Sequence, residues 1–150
     1  MYRHRPVKSL DVFRAIVAGE VEPPPVAKLV GFEMTKVEVG RAVFELDAGP
    51  QHASPLGTVH GGIICDVADA ALGCAHASTL DDGETFTTLE LKINFTKPVW
   101  SGRLTAVATS LKAGRTIGLT ECRVTDESGA LVAYATSTCM TLRGEAAKGR

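Results

Sequence analysis

The chain has 150 residues, of which 45% are hydrophobic and 22% are charged, and its net charge is −1. This composition excludes a disordered chain and suits one domain built on a single core. Because no basic stripe or long charge run occurs, we expect neither nucleic acid nor an anionic membrane surface as the main partner, although local basic residues leave room for a small anionic ligand.

The N-terminal part is predicted to be a helical extension over residues 1–25. Its first residues have no apolar run behind them, so we expect no signal peptide. The predicted elements are a helix from Leu10 to Ala18 with Ser9 as N-cap and Gly19 at its end, the stiff spacer Pro23–Pro25, and one turn from Val26 to Val30 closed by Gly31. The apolar face of the first helix consists of Leu10, Phe13, Ile16 and Val17.

Two strands are predicted before the longest apolar segment and four after it. Their strand-forming residues are bounded by turn residues, over Phe32–Val39, Arg41–Asp47, Thr85–Lys97, Trp100–Lys112, Arg115–Thr125 and Ala130–Leu142. In the third strand the alternation is regular, which predicts one face with Thr87, Leu89, Leu91, Ile93 and Phe95 and an opposite face with Thr88, Glu90, Lys92, Asn94 and Thr96. The polar tail over residues 144–150 is expected to be frayed.

The alanine-rich segment from Ile63 to Ala77 carries only two charges, Asp66 and Asp69, and predicts a buried helix. It directly follows the pair Gly61-Gly62, which would leave the helix N-terminus open. One such helix among about six strands favours an α+β fold over a βαβ fold. The simplest arrangement is a curved antiparallel β-sheet wrapped around the long central helix.

The start of this helix is the first candidate site. A helix N-terminus presents unpaired backbone N–H groups, and glycine lets a ligand approach them closely. Gly61 and Gly62 could therefore donate to a carbonyl oxygen that gains negative charge in acyl transfer, or they could simply form a tight turn. Asp69 lies about two turns further along the helix. There its carboxylate could act as nucleophile or general base on a substrate held at these amides.

Other polar residues near this helix have both structural and functional interpretations. Asp66 shares a helix face with Asp69 and is interpreted as structural or as part of a subunit contact, whereas Asp69 could also be bonded to a neighbouring backbone or hydroxyl group. His60 could bond a substrate carbonyl or fix the loop, and His52 is a candidate of the same kind. A metal site of His60, Asp66, Asp69 and His76 matches no known ligand spacing. Neither a G-x-S-x-G elbow nor a P-loop occurs.

The four cysteines are Cys65, Cys74, Cys122 and Cys139, and none forms a C-x-x-C pair. Their apolar surroundings predict buried, reduced thiols, as expected of a cytoplasmic protein. A nucleophilic cysteine is the alternative, although no cationic residue lies nearby in sequence to activate one. No apolar run is long enough to cross a bilayer.

Three stretches carry a resemblance to a known family. The first is the run from His52 to Gly62, followed by Asp69 nine residues past His60. The others are Thr87–Phe95 ahead of Pro98, and the turn Gly114-Arg115-Thr116. In this order the stretches resemble the hotdog-fold acyl-CoA thioesterases, most closely the phenylacetic-acid-degradation type of the 4-hydroxybenzoyl-CoA thioesterase superfamily. The match runs from Pro24 to Leu142.

The resemblance implies a hotdog fold, a homodimer formed by sheet pairing and often a homotetramer. It implies hydrolysis of an acyl-CoA with an aryl or a short to medium acyl group, without a metal or other cofactor. By position, the implied catalytic residues are Asp69 from across the dimer interface, Gly61 whose amide polarises the thioester carbonyl, His60 which orients the thioester, Thr88 which helps to place the water or acyl group, and Ser54, which stands where the family often has Asn.

Contacts to coenzyme A are expected at Gly62 and at two basic residues, Lys112 and Arg115, which flank the Ala113-Gly114 turn; the alternative for both is that they are solvated charges of that turn. Arg143 is a weaker candidate. Two other functions stay open. One is a hydratase or dehydratase acting on acyl thioesters with the same fold, for which His76 is the histidine that could partner the helix acid. The other is a protein that binds acyl-CoA without turnover, since Ser54 replaces the usual amide.

Overall fold

The helices and strands lie close to their predicted positions. The computed structural model describes residues 8–149; Arg150 and residues 1–7, with which the predicted N-terminal extension begins, lie outside the described part. The elements are α1 (Ser9–Val17), α2 (Pro25–Val30), β1 (Phe32–Glu38), β2 (Arg41–Ala48), α3 (Gly61–Ala77), β3 (Thr85–Phe95), β4 (Gly102–Ala113), β5 (Ile117–Thr125) and β6 (Leu131–Leu142). Short 3₁₀ turns cover Pro50–His52 and Gly144–Ala147, the second of them within the predicted frayed tail. Within residues 8–149, no helix is long and apolar enough to span a membrane.

The six strands form one curved antiparallel sheet in the order β1-β2-β4-β5-β6-β3, and this sheet wraps α3. The predicted α+β fold is therefore confirmed. The contact between helix and sheet is close because α3 buries small residues, with Ala68, Ala71 and Ala75 fully covered. β1 and β3 are the edge strands, and within the described chain β3 pairs along one edge only, with β6.

One stripe of α3 is left uncovered by the sheet. Gly62, Asp66 and Asp69 are exposed, and their spacing of four and three residues places them on one helical face. Both charges of the helix therefore reach solvent at the edge of the core. This explains how a largely apolar, buried helix accommodates two aspartates, neither of which forms an ion pair with another residue of the range 8–149.

The predicted alternation of β3 is wrong at Leu89. The register of β3 against β6 shifts between Thr88 and Glu90, so Leu89 is a β-bulge and is 53% exposed. Because a bulge reverses the alternation beyond it, Thr88 lies on the same face as Leu91, and both pair with buried residues of β6. The regular sequence pattern places these two residues on opposite faces, because nothing in it indicates that Leu89 is an extra residue in the strand.

The N-terminal helices differ little from prediction. Ser9 is the first residue of α1 and not its N-cap; Lys8 holds that position, and no side chain caps the helix. The predicted cap is therefore wrong by one residue. α1 contacts β1 and α3, and α2 ends as predicted at Gly31, whose φ of 93° lies in the left-handed region that glycine favours.

Candidate active site

His52 holds the loop that leads into α3. It is buried, its Nε2 lies 2.7 Å from the Val30 carbonyl oxygen, and its Nδ1 accepts the Gly49 N–H at 3.2 Å. Since Nδ1 is an acceptor, the neutral ring carries its proton on Nε2 and donates it to Val30. Both ring nitrogens are thus used within the protein. Of the two interpretations left open by the sequence, the structure supports the one in which His52 fixes the loop.

Ser54 organises the tight turn after His52. Its hydroxyl accepts the Leu56 N–H at 3.2 Å and lies 3.3 Å from the hydroxyl of Thr58, while its backbone N–H donates to the Thr58 carbonyl at 2.6 Å. Gly57 completes the turn with a φ of 85°. The Ser54 side chain is therefore engaged inside the loop, and its predicted contact with substrate stays a prediction.

The N-terminus of α3 offers one unused amide. His60 caps the helix, because its Nδ1 accepts the Gly62 N–H at 2.9 Å. The Gly62 amide is therefore occupied by this bond, whereas the Gly61 N–H has no acceptor among residues 8–149. Since Nδ1 accepts, the neutral His60 ring carries its proton on Nε2. An exposed ring N–H and a free backbone N–H thus stand together at the positive end of the helix dipole.

Asp69 of α3 and Thr88 of β3 both line a cavity of about 500 Å³. The cavity is partly open to solvent and is lined by α1, the proline segment, α2, β1, β2, α3 and β3, and its polar lining residues are Glu22, Asp69 and Thr88. Phe86 lies directly on α3 at Gly73, where an added Cβ would stand 3.0 Å from the ring. Because of the bulge at Leu89, Thr88 lies on the face of β3 that is turned towards the cavity. Two residues named from the resemblance, Asp69 and Thr88, are therefore brought to one cavity.

The Asp69 carboxyl has a perturbed acidity. Desolvation by the packing around it raises its pKa above the usual value, and the negative charge of Asp66 on the same stripe raises it further. Asp69 nevertheless remains open to solvent at the cavity rim. A carboxylate of raised pKa at an apolar cavity is suited to nucleophilic or general-base chemistry.

Gly61 and Asp69 do not meet within one chain. They are eight residues apart on α3, which corresponds to about 12 Å along the helix axis. One substrate carbonyl cannot contact both groups at that separation. The roles predicted for Gly61 and Asp69 therefore stay predictions, and within a single chain they cannot act on the same carbonyl.

Lys112 and Arg115 lie towards the opposite end of α3. The β4–β5 hairpin that carries them packs on His76, because an added Cβ at Gly118 would stand 2.3 Å from His76 Nδ1. Both basic side chains are exposed, and their contact with coenzyme A stays a prediction. Arg143, the weaker candidate, forms an ion pair with Glu84.

His76 itself is fully buried. Its Nε2 lies 3.2 Å from the Thr141 hydroxyl, and its ring packs edge-on against Phe86 at a centroid distance of 5.5 Å. Desolvation lowers its pKa, an effect that the charge of Glu84 partly offsets. With no route to solvent for its ring, His76 is a core residue and not a partner for the helix acid.

Two further alternatives lose support in the structure. All four cysteines are free, with Cys122 and Cys139 buried, and burial raises the pKa of both Cys74 and Cys122 to about 12. Such thiols stay protonated and are poor nucleophiles. In the described part of the chain, no three histidine, cysteine or acidic side chains stand close enough to hold a metal ion.

Comparison with known proteins identifies the family. The family model of the thioesterase superfamily matches residues 56–133. A candidate esterase of Saccharolobus solfataricus is 34% identical over 133 residues, which are 89% of this chain and 94% of that protein. The chain belongs to the thioesterase superfamily.

Two other relatives of this thioesterase agree. The 1,4-dihydroxy-2-naphthoyl-CoA hydrolase of Listeria monocytogenes is 29% identical over 69% of this chain and 84% of that enzyme. The crystal structure of a candidate thioesterase related to phenylacetic acid degradation, from Ralstonia eutropha JMP134, matches with a TM-score of 0.78 and 30% identity, covering 85% of this chain and 98% of that one. The predicted resemblance to hotdog-fold thioesterases is confirmed.

The sequence did not reveal that side chains of α1 and of the first part of β3 contribute to the cavity of this thioesterase. Phe86 and three residues of α1, namely Val12, Phe13 and Ile16, line it. The apolar face of α1 was a signal for burial, but it could not show whether that face met the core or a cavity. Val12 lies outside the predicted face altogether.

Proposed function

We propose that this protein is an acyl-CoA thioesterase, which converts an acyl-CoA and water into a carboxylic acid and coenzyme A. The observation that carries the proposal is the free Gly61 N–H at the positive end of α3, in a fold whose exposed helix stripe also supplies a carboxylate of raised pKa, Asp69. A fixed N–H donor stabilises the oxyanion that forms when a thioester carbonyl is attacked.

The roles follow from the groups available. The Gly61 N–H and the Nε2–H of His60 hold the thioester oxygen, and Asp69 either takes a proton from the attacking water or attacks the carbonyl carbon itself. Thr88, on the same cavity as Asp69, orients the water or the acyl group. The carbon–sulfur bond then breaks, and the coenzyme A thiolate leaves and takes up the proton held by Asp69 or one from solvent. If Asp69 was the nucleophile, water then cleaves the acyl–Asp69 anhydride, which releases the carboxylic acid and restores the carboxylate. Ser54 acts through the loop that presents His60 and Gly61.

The working unit is a homodimer in which each site combines two chains. Two observations support this arrangement. The separation of Gly61 and Asp69 along α3, about 12 Å, is too large for one chain to supply both to one carbonyl. The edge strand β3 also has an unpaired side within the described chain and presents exposed Leu89 and Phe95, which suits pairing with a second copy. Association into a dimer of dimers rests on the family resemblance.

Coenzyme A, an extended ligand, lies between Gly62 at the N-terminus of α3 and the two exposed cations towards the other end of this helix, Lys112 and Arg115, which face its phosphates. For the Gly62 amide this requires that the bond to His60 be exchanged for one to the substrate. The free cysteines support a cytoplasmic location.

The test is release of free thiol from a panel of aryl and aliphatic acyl-CoAs. Asp69→Asn should lower kcat by roughly 10²-fold or more, while Asp82→Asn, on the exposed turn before β3, should have no effect. The proposal fails if the unmodified protein releases no thiol from any member of the panel, or if Asp69→Asn is fully active.

The same panel separates the alternatives. A hydratase would convert an enoyl-CoA, so that its absorbance is lost, without releasing thiol. The burial of His76 argues against this function. A non-catalytic binding protein would bind an S-alkyl coenzyme A thioether, which cannot be hydrolysed, and would turn over none of the esters.

A further inference from the structure

The cavity beside Asp69 is covered by the N-terminal segment of the chain, and we call α1 together with residues 18–25 the roof. Val12, Phe13 and Ile16 of α1 line the cavity together with the proline segment Pro23–Pro25. These residues precede the first strand, and they cover a space whose floor is Ala70, Gly73 and Cys74 of α3.

The interior beneath the roof is apolar. Of the three polar lining residues, Asp69 and Thr88 belong to the α3 and β3 side. The third, Glu22, is on the roof, but its side chain is 74% exposed and pairs with Lys28, so its charge faces outwards. The part of a ligand that extends from Asp69 towards the roof therefore meets no polar side chain of the cavity beyond Asp69 and Thr88. Hydroxyl or charged groups on that portion would be desolvated without compensation.

The roof is apolar but only partly covered by protein. Phe13 and Ile16 are half-buried, and Val12 is 37% exposed, although all three line the cavity. A well-packed core would bury such side chains completely. Because all three line the cavity, an apolar group there would cover more of their surface and would gain about fourfold in affinity for each methylene that it adds.

The roof is also stiff. Three consecutive prolines fix φ along the segment that joins α1 to α2. The next helix, Pro25–Val30, is anchored by buried Ala27 and Val30. The roof therefore keeps a fixed position over the cavity.

We propose that the roof is the far wall of the acyl pocket and sets the length limit for the acyl group, and that the preferred substrates carry an uncharged acyl group without hydroxyl substituents. This inference rests on the proposed thioesterase function and extends it to substrate selection. Val12 is the specificity-determining residue, because it combines contact with the cavity with enough exposure to tolerate a larger side chain. Acyl groups longer than the distance to the roof are excluded by contact with it.

The test compares two substitutions on the same helix. Val12→Trp fills the cavity from the roof, whereas Val17→Trp adds the same side chain at a residue of similar exposure, 39% against 37%, that does not line the cavity. The measurement is kcat/KM for straight-chain acyl-CoAs from two to fourteen carbons. Val12→Trp should lower kcat/KM for the longest accepted chains by roughly 10-fold to 200-fold and leave acetyl-CoA within about twofold, whereas Val17→Trp should keep the unmodified profile.

A second variant covers the case in which Val12→Trp folds poorly. Ile16→Ala removes volume from the roof and should move the length optimum towards longer chains. Identical chain-length profiles for Val12→Trp, Ile16→Ala and Val17→Trp would overturn the inference while leaving the thioesterase function intact. A preference for hydroxylated or charged acyl groups over their unsubstituted analogues would overturn the substrate class.

Affinity provides a readout independent of turnover. Calorimetric titration with S-alkyl coenzyme A thioethers of the same lengths should show the same shift for Val12→Trp and none for Val17→Trp. If the unmodified protein binds the thioethers but hydrolyses no ester, the thioesterase proposal fails and the roof is still tested by these affinities. If chain length changes neither turnover nor affinity, the roof is not the wall of an acyl pocket.

Discussion

The ring of Phe95 packs directly on Gly61. A Cβ added at Gly61 would stand 3.0 Å from Cζ of Phe95, closer than ordinary van der Waals contact. Phe95 lies at the end of the edge strand β3 and is otherwise half exposed. The first residue of α3 is therefore a glycine because its α-carbon must fit under an aromatic ring.

The Gly61 amide can be removed without disturbing the helix. Proline is favoured at the first position of a helix, and the preceding residue, His60, already has the extended conformation (φ −61°, ψ 134°) that proline requires of its neighbour. Gly61→Pro should therefore fold and lower kcat by roughly 10²-fold to 10³-fold through loss of the oxyanion donor. Steady-state kinetics with the best acyl-CoA provide the measurement.

The matched control for this change is Gly61→Ala. Alanine introduces the same contact with Phe95 but keeps the N–H. Its kcat should stay well above that of Gly61→Pro. Equal losses in the two variants would mean that crowding at Phe95, and not the amide, governs the rate.

Asp66 should tune the pH dependence of the reaction. Its charge helps to raise the pKa of Asp69, which must be ionised to act as nucleophile or base. Removing the charge in Asp66→Asn favours ionisation of Asp69, so the acid limb of the kcat/KM profile should move to lower pH. The Asp82→Asn profile should coincide with that of the unmodified protein. An acid limb that stays in place in Asp66→Asn would show that desolvation alone perturbs Asp69.

Two inactive variants should restore each other if the site combines two chains. In a heterodimer of Asp69→Asn and Gly61→Pro, one site has both groups intact and the other has neither. Co-expression with random pairing should recover roughly a quarter of the unmodified specific activity. If each chain forms its own site, the mixture will be as inactive as its components.

The close contact between His76 and Gly118 should make the protein sensitive to any side chain added at Gly118 of the β4–β5 hairpin. A Cβ at Gly118 would stand 2.3 Å from Nδ1 of His76, and the His76 side chain is fully buried. Gly118→Ala should lower the free energy of unfolding by about 1–3 kcal/mol through overpacking. Urea unfolding at fixed protein concentration measures this change.

A double-variant cycle isolates the contact. In a His76→Ala background the ring is absent, so the additional cost of Gly118→Ala should shrink, giving a coupling of about 0.5–3 kcal/mol. If the two losses in the free energy of unfolding are additive, the strand backbone, and not the His76 ring, is the reason that residue 118 is a glycine.

The sequence by itself determined the elements and the position of the α3 N-terminus. Periodicity and turn residues were sufficient for six strands and three helices, because these signals are local. The His60-Gly61-Gly62 run was readable for the same reason, since the free amides of a helix start depend only on the backbone around them. The buried roles of His52 and His76 were not readable, because their partners are distant in sequence: Val30 for His52 and Thr141 for His76.

Only the tertiary structure decided how these parts combine. The bulge at Leu89 turned Thr88 towards the cavity against a regular sequence pattern, because a register shift is set by pairing with β6 and leaves no trace in local alternation. The rigid rise of α3 kept Gly61 and Asp69 apart within one chain. The roof over the cavity arose because α1 and the prolines pack against strands that come later in the chain, a long-range contact that neither segment encodes alone.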